Sequence, residues 1–362
     1  MGTKNIQNII LLILYTCLVA CVKDKPGNSS SAGNPVVIDT AERQVYVICE
    51  GSLGNGDASL YQYDVKSSSV AGDVFASVNA GGKLGDVFQS MTRIGDRYFL
   101  CINNSDKIVV LNRSDKKVVG NISVPKPRYI LPINDTKAYV SGLFSNKVYI
   151  INPQTMQVSG TIDMPYQNPE GMRLYNGKAY VCTWDTACSK VYTINTATDA
   201  VETSIPVSGA APQEALEDAQ GRLWVLSGNV SKNKSSSLTV IDKAGNIVRS
   251  YHFPDKADVI RPVFNPTLDS LYFIEVNYSG GNDYNGIYRM SINDANIPSV
   301  PFIAAQAYQY FWALGIDPKD GKIYIGDPKG FIQKGFVSVY NQDGTQVNSF
   351  SVGLGPGHFY FD

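Results

Sequence analysis

The feature that most constrains this 362-residue chain is an internal repeat. Seven short runs rich in Val, Ile and Tyr close on Asp64, Asn112, Asn152, Asn195, Asp242, Ser291 and Asn341, so that successive anchors lie 40–50 residues apart. A second apolar run precedes each of them, with an aromatic always at the same place: Tyr46, Tyr98, Tyr139, Tyr180, Trp224, Tyr272 and Tyr324. β-Branched and aromatic residues suit a pleated, half-buried strand. The clearest unit, Asp135–Asn152, reads as a tight turn, a strand over Lys137–Ser141, a loop and a strand over Lys147–Asn152. Asn176-Gly177, Gln220-Gly221 and Asp320-Gly321 supply tight-turn chemistry at the matching place in other units.

Periods of this length, built from four short strands, predict a β-propeller. A series of sandwiches is the competing all-β reading. Seven units predict seven four-stranded antiparallel blades over residues 44–362. The segment Gly355–Asp362 has the pattern of a first strand with no second strand after it, and the first unit opens directly on a second strand at Val45. His358–Phe361 is therefore expected to pair into the blade of residues 44–78 and close the ring, which removes the open sheet edges.

A different composition precedes the ring. Lys4 is followed by an apolar run, Ile9–Leu18, too short to span a bilayer comfortably and better suited to a secretory signal. Leu18-Val19-Ala20-Cys21 resembles the bacterial lipobox. That resemblance implies a signal peptide over residues 1–20, lipidation of Cys21, and a tether over residues 21–43, Gly- and Ser-rich between Pro26 and Val37. The alternative is an ordinary signal peptide in which Cys21 is incidental. Val22–Lys25 resembles the charged segment that sends lipoproteins of the Bacteroides group to the cell surface. Together these imply an outer-membrane protein facing the cell exterior and held to the membrane by its acyl chains.

Composition argues against several functions. Lys and Arg number 31 against 32 Asp and Glu, with no basic cluster, so no nucleic-acid partner is expected. The two histidines, His252 on an outer-strand pattern and His358 on the closing strand, form no triad or metal set. Asn55-Gly56-Asp57 and Asn282-Asp283 lack the spaced carboxylates of a calcium loop. Asp86, Glu170 and Glu214 fall near the starts of inner strands, where a carboxylate pair would suit acid–base work. No nucleophile or cofactor-binding motif accompanies them, so the expectation is a binding protein with no enzymatic activity and no cofactor.

Surplus loop length marks one face, at Ser227–Ser237, Asn277–Asn285 and Asp327–Gly335. Loops after the second strands offer Phe144, Trp184, Asp185, Tyr278, Tyr284 and Phe331 to a ligand there. The links between blades add Phe88, Arg128, Glu170, Gln213, Arg261 and Tyr310. Aromatic area with a few fixed polar groups suits a large, mostly neutral, amphipathic ligand. Trp312, which opens an inner strand, is expected to face the core. Cys182 and Cys188 flank the loop Thr183–Ala187, either as a disulfide that pins Trp184 or as two packed thiols. Cys49 and Cys101 fall in neighbouring blades, too far apart to bridge, and read as core residues.

Val124–Pro132, Lys147–Asn152 and Gly353–Gly357 resemble segments of the YncE-like propellers. Ile48–Leu60 and Leu84–Met91 resemble a Bacteroides-type surface-lipoprotein subgroup, and the resemblance covers residues 44–362. That subgroup includes BtuG-type lipoproteins, which capture cobalamin over a BtuB-like TonB-dependent outer-membrane transporter. The resemblance implies cobalamin (vitamin B12) or a related corrinoid as ligand, and such a transporter as partner. The rival readings are an adhesion propeller that holds protein or glycan, and a propeller hydrolase or lyase.

Overall fold

In a computed structural model, residues 43–278, 283–307 and 309–362 are described. They form seven four-stranded antiparallel sheets. Blade 3 is typical: Pro127–Asn134 lines the channel, and Lys137–Gly142, Lys147–Asn152 and Gln157–Asp163 follow outward in chain order. The inner strands of blades 2 and 4–7 are Phe88–Ile94, Pro169–Tyr175, Pro212–Glu217, Asp258–Phe264 and Ala313–Ile316. Blade 1 takes its inner strand, Pro356–Phe361, from the far end of the chain and pairs it with Gln44–Cys49. The register runs from Val45 opposite Phe361 to Ile48 opposite His358, so the ring closes as the repeat predicts.

The recurring aromatic is the packing unit between blades. Tyr46, Tyr98, Tyr139, Trp224 and Tyr324 are fully buried. Tyr46 meets Tyr98 edge-on across blades 1 and 2 at 5.5 Å, and Trp224 stacks on Tyr251 and meets Phe264 of blade 6. Burying an apolar side chain of this size stabilises by about 1.5–3 kcal/mol. A blade alone exposes this row on both faces, which is why the units need a ring.

The closure is clasped on both sides. Arg43, 2% exposed, pairs with Asp317 and with Asp320 at 3.1 Å, on the turn between the first two strands of blade 7. The Asp362 backbone N–H donates to the Gln44 carbonyl at 3.0 Å. The Asp362 carboxylate accepts from Tyr98 Oη at 2.7 Å and is paired with Arg113, both in blade 2.

Some details depart from expectation. Much of the long loop expected over Ser227–Ser237 is strand: Leu223–Asn229 and Lys234–Ile241 pair out to Asn229 opposite Lys234, leaving a one-turn tip. A one-and-a-half-turn helix, Val74–Val78, capped by Asp73, leads out of blade 1. The Cys182–Cys188 bridge is not formed. Both are free buried thiols on opposite faces of the blade 4 sheet: Cys182 packs with Tyr180, Val191 and Leu223 toward blade 5, and Cys188 with Tyr139, Val148 and Ile162 toward blade 3. Cys49 and Cys101 are buried core thiols, each pushed up to about 12 by burial. Cys21 lies outside the described residues, as do Asn282 and the middle of the Asn277–Asn285 loop.

Removing Arg43 leaves the buried Asp317 carboxylate without a cation among the described residues and Asp320 with Lys322, at 3.6 Å. Arg43→Ala is expected to lower the unfolding free energy by about 3–5 kcal/mol in urea denaturation, as for other broken buried pairs. A loss below about 1 kcal/mol would show that the clasp is solvated and contributes little. Cys49, Cys101, Cys182 and Cys188 should react with a thiol reagent only after the chain is unfolded.

Candidate functional site

Entry into the inner strands follows one local rule. Val87, Lys126, Asn168, Ala211 and Gly355 take positive φ of 58°, 42°, 58°, 55° and 60° just ahead of them. In four of these five blades the next residue is proline: Pro127, Pro169, Pro212 and Pro356. A left-handed non-glycine residue costs roughly 1–2 kcal/mol, so the surrounding ladder must hold it. The pairing then slips, between Phe88 and Ser90, Pro127 and Ile130, Pro169 and Met172, and Pro212 and Glu214. In blade 6 the slip falls between Ile260 and Val263, and Arg261 itself has φ 55°. Such bulges re-aim side chains. Gln89, Arg128, Glu170, Gln213 and Arg261 all sit at these slips, on one mouth of the channel.

The mouth is floored by a hydrogen-bonded chain that crosses six blades. Arg128 Nε donates to both Glu170 oxygens at 3.0 Å, and its Nη atoms reach Glu170 and Gln89. Gln89 donates to Tyr129 Oη at 3.1 Å. Arg261 donates to Tyr129 Oη at 3.4 Å and to the Trp312 carbonyl at 3.2 Å, and lies 3.4 Å from Glu50. Trp312 Nε1 donates to Glu50 Oε1 at 2.9 Å. Over this floor lies a cavity of about 490 Å³ whose aromatic wall is Trp184, Tyr278 and Trp312. Trp184 Nε1 and Gln213 Nε2 both donate to the Gly228 carbonyl, at 3.0 and 2.7 Å.

Two carboxyl groups in the wall have no close cationic partner among the described residues. Burial pushes Glu214 up to about 7; Arg261 opposes the shift and Glu170 adds to it. Burial likewise pushes Asp258 up to about 6, and its Oδ1 is without a partner among the described residues. Both therefore exchange protons near neutrality. His358, deeper in the channel and edge-on to Tyr129 at 5.9 Å, is held well below the usual histidine range by burial and by Arg261 and Arg128, so its imidazole is neutral.

Of the expected ligand contacts, Arg128, Glu170, Trp184, Gln213, Arg261 and Tyr278 come together around this cavity. Phe331 stands behind it, edge-on to Trp312 at 5.6 Å. Phe144 is 75% exposed on the same face but outside the wall. Asp185 accepts from the N–H of Ala187 in its own loop and from that of Gln167 in the link into blade 4. One expectation is corrected: Phe88 is buried in the core between blades 1 and 2. Tyr284 and Tyr310 are half-buried, packed on the cores between blades 5 and 6 and between blades 6 and 7, and neither lines the cavity. Trp312 is corrected the other way: it lines the cavity, because ring closure brings Glu50 to its indole N–H. Glu50 and Asp258 join the site from strand ends that carry no local motif, and Tyr129 joins it from the start of blade 3. Proline after a left-handed residue was the available signal, and it points at the neighbours Tyr129 and Glu214.

These features define a seven-bladed β-propeller with a small-molecule-sized cavity at one mouth of its channel. The chain belongs to the family described as domain of unknown function DUF5074, whose model matches residues 43–362. No curated protein matches it. Among solved structures it is similar to a quinonprotein alcohol dehydrogenase-like protein from Bacteroides thetaiotaomicron, with a TM-score of 0.68 and 16% identity over 89% of this chain and 78% of that one. A putative 6-phosphogluconolactonase from Bacteroides fragilis aligns with a TM-score of 0.64 and 9% identity, covering 91% of this chain and 100% of that one. The periplasmic gluconolactonase of Pseudomonas aeruginosa aligns at 0.63 and 11%, covering 88% and 99%. Identity this low shows a shared fold alone.

Glu214 gives a pH signature. Its folded value near 7 lies above the ordinary 4.5, so ionisation is easier in the unfolded chain. Its stabilising contribution is full below pH 4.5 and is lost as the pH rises to 7. Glu214→Gln should therefore be more stable than the parent at pH 8, by an amount on the order of 3 kcal/mol, and equal to it at pH 4. Thermal or urea unfolding at the two pH values measures this; equal differences at both would show that Glu214 titrates normally.

Proposed function

We infer that this propeller is a surface lipoprotein that captures cobalamin or a related corrinoid at the channel mouth and passes it to a TonB-dependent outer-membrane transporter. One observation carries the reading: the cavity joins an aromatic wall, Trp184, Tyr278 and Trp312, to donors and acceptors that suit amides, including Gln213, Arg128 and Glu170. A corrinoid offers a broad ring edged with primary amides, and in cobalamin a flat benzimidazole as well. At about 490 Å³ the cavity admits one edge of such a ligand. The exposed rings of Phe144 and Tyr278 extend the apolar surface beyond it. Amides need both donors and acceptors, and a floor already fixed by its own hydrogen bonds loses little freedom on binding.

Chain direction supports presentation to the outside. The inner strands start at this mouth, and Gln44–Cys49 runs antiparallel to its inner strand, so residue 43 joins the ring at the opposite end. The resemblance to the YncE-like, BtuG-type lipoproteins supports both the ligand class and the exterior location.

A second reading, turnover of a ligand in the same cavity, is favoured by Glu214 and Asp258, which protonate near neutrality. Ser231 also lines the wall, but its hydroxyl donates to Asn229 Oδ1 and not to either carboxyl, so no activated nucleophile pairs with them among the described residues.

Calorimetric titration of the full-length chain with cyanocobalamin tests the proposal. Micromolar or tighter binding is expected, and Trp184→Ala and Tyr278→Ala should each weaken it by about tenfold or more, as for buried aromatic anchors. Absence of heat at about 100 μM ligand would overturn the corrinoid reading.

A further inference from the structure

The channel holds a second cavity. It occupies about 390 Å³ at the end opposite the mouth, within the range of roughly 300–1,000 Å³ usual for small-molecule sites. Its walls are apolar: Val263 of blade 6, Leu314 and Ile316 of blade 7, and Phe359 and Phe361 of the closing strand. Its inner end is not. Glu214, Arg261 and His358 line it there, and Glu214 and Arg261 also line the mouth cavity, so this pair stands between the two.

The polar end has an unmet need. Nε2 of His358 is buried and has no hydrogen-bond partner among the described residues. A buried polar atom left this way loses about 1–3 kcal/mol relative to a paired one. Arg261 beside it is held by the Trp312 carbonyl at 3.2 Å and by Tyr129 Oη and Glu50 at 3.4 Å each, with no bidentate carboxylate. The field at His358 is positive, set by Arg261 and Arg128. Arg128 is already neutralised by its fork to Glu170, but Arg261 has no such partner. An apolar cup ending in a guanidinium with no bidentate carboxylate and an unpaired imidazole nitrogen is complementary to a compact organic acid: the body fills the cup and the carboxylate meets His358 and the edge of Arg261.

We propose that this rear cavity is a second small-molecule site, separate from the mouth, that takes a monocarboxylic acid with an aromatic or branched aliphatic body. The site stands whether or not the mouth holds a corrinoid. Among the residues that line the cavity, Glu214 is the acidic one, and Glu50 lies behind it against Arg261 at 3.4 Å. Glu214 faces Arg261 from blade 6, Tyr129 from blade 3, and Glu170, Arg173 and Cys182 from blade 4. Once protonated it carries no charge and can itself donate to a carboxylate. Occupancy should therefore be stronger on the acid side of neutrality.

Benzoate and its uncharged isostere benzamide are the probes, titrated calorimetrically into the full-length chain at pH 6 and pH 8. Benzoate is expected to bind, with benzamide about tenfold weaker or worse, and benzoate itself about tenfold weaker at pH 8 than at pH 6. Glu214→Gln should remove most of that pH difference. Val263→Phe fills the cup and should abolish benzoate binding; near-ultraviolet circular dichroism checks that this variant is folded. In the parent chain, benzoate should shift the His358 ring resonances while the Trp184 indole N–H stays still, which locates the ligand without a variant. No binding at about 10 mM benzoate, equal affinity for benzamide, or a shift at Trp184 in place of His358 would each overturn the proposal.

Discussion

The fold depends on one strand pairing, Pro356–Phe361 against Gln44–Cys49. Each blade hides its aromatic row only against its neighbours, so an open array would leave two apolar faces and two unpaired edges exposed. Closure removes all four at once. The desolvated contacts of Arg43 with Asp317 and Asp320 on one side, and of Asp362 with Tyr98 and Arg113 on the other, fix the register of that closure. Their value is positional as well as energetic, because a slip of one residue would turn His358 out of the channel.

The same closure assembles the site. Glu50 reaches Trp312 across the junction of blades 1 and 7, and Arg261 lies against Glu50 and Tyr129 from two other directions. Strained backbone feeds this arrangement. The left-handed residues ahead of five inner strands, and the bulges after them, spend local stability to aim polar side chains at a channel that would otherwise be lined by regular alternation. The polar groups then support one another, so the floor is rigid before any ligand arrives. Glu214 and Asp258 are the exceptions. Buried without a matching cation, they hold protons near neutrality, and Glu214 sits where the two cavities meet.

Most of the architecture was legible from spacing. The recurring aromatic and the interval between anchors define the blades because each blade solves the same burial problem. The orphan strand at His358 revealed closure because nothing follows it to pair with. The site was legible only in part. Arg128, Glu170, Gln213 and Arg261 were recognisable as inner-strand starts, and Trp184 and Tyr278 as loop aromatics. Phe88 was misplaced because an aromatic near a blade junction can turn inward or outward, and local sequence does not say which; Tyr284 and Tyr310 sit half-buried at such junctions. Trp312 failed for the opposite reason: its indole follows an acceptor supplied from 262 residues away. The cysteine pair failed on sheet geometry, since six residues along the chain placed the sulfurs on opposite faces.

The amino-acid sequence by itself determined the number of blades, the strand pattern within them and the segment that closes the ring, because these follow from periodic burial and turn chemistry that repeat locally. Only the tertiary structure decided which polar groups meet in the channel, which carboxyls lack partners among the described residues, and that a cavity opens at each end of the channel. Those properties arise where side chains from distant blades converge at low dielectric, and a group's charge and partners there depend on neighbours that no local stretch of chain contains.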